Sequence, residues 1–356
     1  MTGVTGRGAT RNAISARFGL PERSEDGDWL DAREDIDGSA PRLRTTVTVE
    51  HPKTILARNK SPDIAFDRSI NAYRGCEHGC IYCFARPTHA YHDLSPGLDF
   101  ESKLFAKPDA PKLLIAELSK RGYRPAPIAM GTNTDPYQPI EKDWCITRDC
   151  IAILRDCRHP LIITTKSDRV LRDLDILTDM ARDDLVAVGI SVTSLDPEIA
   201  RTLEPRAPRP AKRLEALRRL AEAGVPAHVN VAPVIPAITD HEIEAILEAA
   251  AKAGATTASY IPVRLPHEVA PLFRAWLEAY FPDRKSKVMS IINDIRGGRD
   301  NDPNFGSRMR GKGVWAELLR TRFRKACARY GLNAGKRITL RTDLFRPPAG
   351  DQMELF

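Results

Sequence analysis

Three cysteines, Cys76, Cys80 and Cys83, stand at C-x3-C-x2-C spacing in the stretch Arg74-Gly75-Cys76-Glu77-His78-Gly79-Cys80-Ile81-Tyr82-Cys83-Phe84. Three thiolates in one short loop can hold three irons of a cubane iron–sulfur cluster and leave the fourth iron open. They are one ligand short of a closed site, and an open metal position is where chemistry happens. Gly75 and Gly79 give the loop backbone freedom to fold around such a group. A structural zinc site with His78 or His89 as fourth ligand is the alternative. Zinc frameworks usually show two paired halves, and no second half follows here.

Stepping outward from the loop, the chain must supply a scaffold to position it. At 356 residues, 42% hydrophobic and 28% charged, it has the composition of a globular α/β protein. No apolar run approaches the ~20 residues of a membrane helix, and the first residues lack a signal peptide's apolar core. The expectation is a cytoplasmic protein with no membrane partner. Seven cysteines, an odd number with a tight triplet, argue against a disulfide framework.

Short β-branched runs alternate with helical patterns from Ser69 onward. The expected strands are Ile70–Tyr73, Pro127–Gly131, Leu161–Thr165, Leu185–Val192, Ala227–Ala232 and Thr256–Ile261, each apolar along its length as for parallel strands buried on both faces. Thr46–Val49 is a further short strand. Leu171, Leu174, Leu177 and Met180 form one helical face; Leu214, Leu217, Leu220 and Ala221 form another, closed by Gly224. Thr239-x-x-Glu242 reads as a capping box before Ile243, Ile246, Leu247 and Ala250, and Gly254 closes that helix. Six βα units predict a partial (β/α)6 TIM-type barrel whose functional loops lie at the C-terminal strand ends.

Four segments are expected: a loosely ordered arm over 1–45, the barrel over 46–282, a basic and mainly helical C-terminal extension over 283–346, and a linker with a peptide-like tail over 347–356. The extension, with helices expected over Ser286–Ile295 and Trp315–Tyr330, concentrates charge. From Arg284 to Arg346 there are 17 Lys/Arg and 5 Asp/Glu, a balance of +12, which leaves −5 for the rest of the +7 chain. Such a patch suits a polyanion, nucleic acid first.

Other candidates fall at strand ends. Gly131–Glu141 is a dense polar turn carrying Thr132, Asn133 and Asp135. Lys166 ends the third strand, and Ser191 and Thr193 end the fourth; a Lys supplies a point-charge partner for a carboxylate and a Ser hydroxyl a hydrogen bond. Arg206 follows the fourth strand with Glu204, and Arg264 follows the sixth. An Arg there reads as an anion clamp. Cys150 and Cys157 share an apolar helical stripe with Ile146, Ile153 and Leu154 behind the cap residue Thr147, so Cys145, Cys150 and Cys157 read as core rather than as a second cluster; Cys327 reads as packing. His89, His92 and His159 read as solvent-facing loop residues, and so does His78, for which a role beside the cluster is the alternative because it lies inside the cysteine loop.

C-x3-C-x-aromatic-C after the first strand, with Tyr82 as the aromatic, resembles the radical S-adenosylmethionine superfamily. Asn71-Ala72-Tyr73-Arg74-Gly75-Cys76, Gly131-Thr132-Asn133-Thr134-Asp135-Pro136-Tyr137-Gln138-Pro139-Ile140-Glu141 and Leu203-Glu204-Pro205-Arg206-Ala207-Pro208 narrow the resemblance to a bacterial branch related to spore photoproduct lyase, often labelled DNA repair photolyase-like. The similarity runs from about Ser61 to Arg346. It implies a [4Fe-4S] cluster on Cys76, Cys80 and Cys83 and S-adenosylmethionine chelated to the open iron. It also implies reductive cleavage of that cofactor to a 5′-deoxyadenosyl radical that abstracts a substrate hydrogen atom, with an electron donor protein supplying the electron. The resemblance further implies cofactor contacts from the loop of Thr132, Asn133 and Asp135, and from Lys166 and Ser191. No cysteine matches the separate hydrogen-atom donor of spore photoproduct lyase.

The chain ends Gln352-Met353-Glu354-Leu355-Phe356, which resembles the pentapeptide that docks bacterial replication and repair proteins on the sliding clamp. Gln352 would anchor one end, with Met353, Leu355 and Phe356 filling apolar pockets. The expectation is a radical S-adenosylmethionine enzyme, of lyase or DNA-repair type, acting on damaged DNA. The alternatives are the same chemistry on RNA or protein, or a nucleic-acid-binding protein with a structural or redox-sensing cluster.

Overall fold

The structure is a computed structural model that describes residues 7–10, 12, 13, 15, 17, 43–335 and 338–348. In chain order the strands are β1 (Thr46–Val49), β2 (Leu56–Arg58), β3 (Arg68–Ile70), β4 (Tyr73–Arg74), β5 (Lys103–Ala106), β6 (Ile128–Met130), β7 (Leu161–Thr165), β8 (Val186–Ser191), β9 (Ala227–Val234) and β10 (Thr257–Pro262). Seven of them form one sheet in the order β2-β3-β6-β7-β8-β9-β10. The six from β3 to β10 run parallel, each beside the next in sequence, and β2 pairs antiparallel at the β3 edge. This is the expected partial (β/α)6 barrel. Helices Ile146–Asp156, Leu174–Ala181, Pro210–Glu222 and Ile243–Lys252 fill the crossovers. Leu154, Leu177, Leu217 and Leu247 from those helices meet Ile163, Val188 and Val229 from the strands in one buried core.

A second sheet, β1-β5-β4, departs from the expected first strand. Ile70–Tyr73 is not one strand. Ile70 belongs to the large sheet and Tyr73 to the small one, where it pairs with Ala106. The break falls at Asn71, whose side-chain oxygen accepts from the Asn133 N–H at 3.0 Å and the Thr132 hydroxyl at 3.2 Å. The cysteine loop therefore starts from β4, held off the large sheet.

β9 also differs from a strand buried on both faces. Its burial alternates, and the less buried face carries His228 and Asn230. His228 bonds Thr257 at 2.8 Å and Ser259 at 2.9 Å, and the Ser259 hydroxyl donates to Asn230 at 2.7 Å. Val229 and Val231 on the opposite face join the core shared with the helices, so the face that carries His228 and Asn230 is the polar one.

The expected capping box does not form. The Thr239 hydroxyl accepts from the Ile235 N–H at 2.9 Å, and Glu242 accepts from Ser194 at 2.6 Å and the Leu195 N–H at 2.7 Å. Thr147 is likewise not a cap; it lies inside helix Ile146–Asp156, and its hydroxyl donates to the Pro136 carbonyl at 2.7 Å. Glu242 is taken by the loop after β8, while Thr239 and Thr147 are engaged by the turns that precede their own helices.

Helices Val269–Tyr280, Pro282–Ile295 and Gly313–Arg329 follow β10. The last sends Leu319, Phe323 and Cys327 into the core, where Phe323 and Tyr260 have ring centroids 4.6 Å apart. Its Arg322 pairs Glu244 through two bonds of 2.7 and 2.8 Å. Among the described residues no helix is long and apolar enough to cross a membrane. Arg7, Ala9 and Ser15 are buried, and the Gly8 and Ala9 N–H groups both donate to Glu101 at 2.8 Å. The tail at Gln352, Met353, Leu355 and Phe356 lies outside the described residues.

Candidate active site

The cysteine loop leaves β4 through Gly75 at φ +72°. A Cβ there would stand 2.6 Å from Leu104 and 2.8 Å from the Phe100 carbonyl; at Gly79, φ +68°, it would stand 2.8 Å from Glu101. Both positions need glycine for conformation and for space. The loop is stitched from outside: the Cys76 N–H donates to Phe100 at 3.0 Å and the Ile81 N–H to Leu203 at 3.0 Å.

Arg86 holds it from below. This fully buried guanidinium donates to the Cys80 carbonyl at 2.8 Å and the Gly79 carbonyl at 3.0 Å, and pairs Glu101 at 2.5 Å. On the other side the Gln138 side chain accepts from the Glu77 N–H at 2.9 Å and donates to the Gly75 carbonyl at 3.2 Å. Nothing in the local sequence around Arg86, Glu101 or Gln138 marked them for this role.

One cavity gathers Cys76, Cys80, Cys83 and Phe84 with Thr132, Asn133, Asp135, Lys166 and Ser191. All three thiols are free. Burial pushes the Cys80 thiol up to about 12 against the pull of Lys166, and burial likewise raises Cys76 well above the ordinary thiol range. Metal coordination reverses that preference by deprotonating the thiol outright. Among the described residues no three His, Cys, Asp or Glu side chains converge to hold a single ion. A cubane asks for something else, since each thiolate takes its own iron around a shared space.

Asp135 organises the far wall. Its carboxylate accepts from Thr165 at 2.6 Å, the Lys166 N–H at 2.8 Å and the Tyr137 N–H at 2.9 Å, and faces His78 Nδ1 at 3.3 Å. Burial disfavours its charge, but His78 and these donors hold its pKa at about 2. Asp135 thus fixes the backbone of Lys166 while its own oxygens are engaged. Lys166 Nζ lies 5.7 Å from the centre of the Tyr82 ring and has no hydrogen-bond acceptor among the described residues. Burial opposes its charge, yet Cys80 and Glu204 outweigh burial and keep its pKa above the usual value. The Ser191 hydroxyl, also in the cavity, has no partner among the described residues either. An ammonium and a hydroxyl are thus left open beside the three thiols, a point charge and a hydrogen-bonding group that can meet an anionic ligand.

Behind this wall sits a buried charge network. The Tyr82 hydroxyl donates to Glu204, Glu204 pairs Arg213, and Thr193 donates to Glu204 at 2.6 Å. Arg213 also donates to the Ser191 carbonyl at 3.1 Å. Burial would raise the Glu204 pKa, but Arg213 and Lys166 hold it at about 2. The network ties Tyr82 in the cysteine loop to Ser191 at the end of β8.

Several expectations change. Arg206 does not line the cavity; it pairs Glu77 at 3.0 Å, because the turn after Leu203 lies over the cysteine loop. His78, His89 and His159 are buried rather than solvent-facing. His78 faces Asp135, and His89 bonds the Lys103 carbonyl at 2.8 Å.

The cavity thus gathers three free thiols and an open cation on a polar wall at the strand ends. Residues 70–250 match the radical SAM superfamily, and the chain belongs to it. That superfamily uses a [4Fe-4S] cluster and S-adenosylmethionine. An uncharacterized protein of Mycobacterium tuberculosis is 35% identical over 281 residues, covering 78% of this chain and 79% of its own. An uncharacterized protein of Methanocaldococcus jannaschii is 32% identical over 173 residues, 49% of this chain and 62% of its own. Among solved structures, spore photoproduct lyase complexed with dinucleoside spore photoproduct superposes with a TM-score of 0.55 at 16% identity, covering 88% of this chain and 86% of that one. The fold is thus shared with that lyase.

Proposed function

We propose that the chain is a radical S-adenosylmethionine enzyme acting on nucleic acid, DNA first, with Cys76, Cys80 and Cys83 as the cluster ligands. The observation that carries the reading is the shared cavity of three free thiols with the unpartnered Lys166 ammonium and Ser191 hydroxyl. When bound, the cluster and S-adenosylmethionine supply a 5′-deoxyadenosyl radical that takes a hydrogen atom from the substrate.

The chain's residues position and protect. Lys166 would hold the methionine carboxylate as a point charge and Ser191 would add a hydrogen bond. Thr132 and Asn133 offer polar contacts from the β6 loop, whose backbone is set by Asn71. Asp135 positions Lys166, and Tyr82 covers the Lys166 ammonium with its ring face. Arg86 and Gln138 hold the loop so that the thiols keep one geometry. The buried walls shield a reactive carbon centre from solvent.

DNA is favoured by the basic 284–346 segment and by the fold shared with a lyase solved with a dinucleoside photoproduct. Deuterated DNA, incubated with the reduced holoenzyme, is expected to transfer deuterium into 5′-deoxyadenosine. Transfer from labelled RNA or protein, with none from DNA, moves the substrate class. Recruitment through Gln352–Phe356 rests on the sequence alone; a peptide with that ending that fails to bind the sliding clamp removes it.

A further inference from the structure

Most buried guanidiniums in this protein face a carboxylate: Arg86 has Glu101 and Arg213 has Glu204. Two do not. Arg264, just past β10, and Arg296, at the end of helix Pro282–Ile295, form no ion pair with any described residue. Both carry a buried Nε without a hydrogen-bond partner.

The two are not equivalent. Arg296, only 3% exposed, spends its other nitrogens on carbonyls, those of Pro262 and Val263 at 2.9 Å and that of Arg308 at 2.6 Å. It pins the turn that carries Arg264 to the basic loop that carries Arg308. Among the described residues Arg264 has only the Met309 sulfur as acceptor, 3.4 Å from Nη1, and sulfur is a weak acceptor. The carboxylates near it are engaged elsewhere. Asp63 is held by Arg308 at 2.6 and 2.7 Å, and Asp302 accepts from Ser307 at 2.6 Å. Burial and Arg308 both oppose charge on Arg264, so an incoming anion would relieve an uncompensated cation.

Arg264 does not line the cysteine cavity itself but adjoins Phe84, which does. Its guanidinium carbon is 6.0 Å from the centre of the Phe84 ring, and Phe84 lines the cavity while remaining 54% exposed. A second arginine–aromatic pair follows, with Arg308 4.7 Å from the ring of Phe305, itself 58% exposed. Arg310 and Lys312 beside it are exposed. A guanidinium fork matches phosphate or carboxylate. Exposed aromatic rings interleaved with cations match a strand whose bases stack while its phosphates are held.

We propose that Arg264 and Phe84 seat one nucleotide at the cavity mouth, Arg264 binding a backbone phosphate and Phe84 stacking on the adjoining base, with Arg296 as the positioning residue beneath. The proposal rests on the nucleic-acid reading and specifies its anchor.

The test is fluorescence anisotropy of the anaerobic holoenzyme with a labelled single-stranded DNA oligonucleotide, between about 50 and 200 mM salt. Arg264→Gln is expected to weaken binding about tenfold and to lower the log–log salt slope by about one. Phe84→Ala is expected to weaken binding about tenfold with the slope unchanged. Arg264→Lys is expected to restore the slope but not the full affinity. Cluster absorbance and thermal midpoint report folding; if Arg264→Gln fails to fold, Arg264→Lys and Phe84→Ala decide. If the wild-type protein binds DNA and these variants bind equally well with the same slope, the inference is overturned and the nucleic-acid reading stands. If the wild-type protein binds an acidic peptide and no oligonucleotide, both are overturned.

Discussion

The wall behind the cysteines and the rim at Arg264 both bury charge, but they do so in opposite ways. Behind the cysteines the buried guanidiniums of Arg86 and Arg213 each meet a carboxylate, Glu101 and Glu204, and the His78 ring faces Asp135. At the rim Arg264 and Arg296 have no carboxylate partner among the described residues. A satisfied buried network specifies one arrangement and holds it. An unsatisfied buried cation is costly unless something arrives to pair it. The wall therefore reads as scaffold and the rim as a binding surface. Lys166 lies between them, a scaffolded cation whose ammonium is left open to the cavity.

The largest effect is expected where the wall is broken. Glu204→Gln leaves Arg213 buried without its counter-charge, and should lower stability by about 3–5 kcal/mol in chemical denaturation. A near-neutral result would mean the wall is not the scaffold described here. Lys166→Met should leave the fold in place and weaken S-adenosylmethionine binding about 10- to 100-fold by anaerobic calorimetry, the range of a hydrogen bond to a charged group. Equal affinity would remove Lys166 from the cofactor site.

A subtler expectation concerns groups that the interior keeps neutral. Burial holds His89, His159 and His228 at about 4, below the usual imidazole value. Unfolded imidazoles protonate near pH 6.5, so unfolding takes up protons between about pH 6.5 and 4 and stability falls as pH drops through that window. His228→Gln should flatten the slope by at most about 1.4 kcal/mol per pH unit. An unchanged slope would show that His228 binds its proton equally in the folded and the unfolded chain. The smallest effect is expected at the solvated pair of Arg218 with Glu215 and Glu222. Arg218→Gln should leave the unfolding midpoint unchanged, which sharpens the contrast between paired charge in water and paired charge in the wall.

Much of this was legible in the sequence because it is local. The cysteine spacing, the parallel strands β6 to β10, and Lys166 and Ser191 at strand ends all follow from periodicity and position. What was not legible is long-range. Arg86 finds Glu101 and Gln138 finds Gly75 only once separate segments stack on the cysteine loop. Arg206 and Glu242 carried sound local readings, an anion clamp and a cap, but each met a stronger partner from elsewhere: Glu77 for one, Ser194 and Leu195 for the other. The histidines near the loop looked exposed because polar neighbours surround them in sequence. In space His78 and His89 are covered by elements the sequence does not place beside them. Arg264 was legible as an anion clamp, but its lack of a carboxylate partner was not.

The central claim is that the three cysteines hold a cluster that cleaves S-adenosylmethionine. Its direct measurement is the formation of 5′-deoxyadenosine and methionine by the anaerobically reconstituted, reduced protein. The wild-type chain is expected to form both, and Cys76→Ala, Cys80→Ala and Cys83→Ala each to abolish them. Cleavage that survives in those variants would contradict the account.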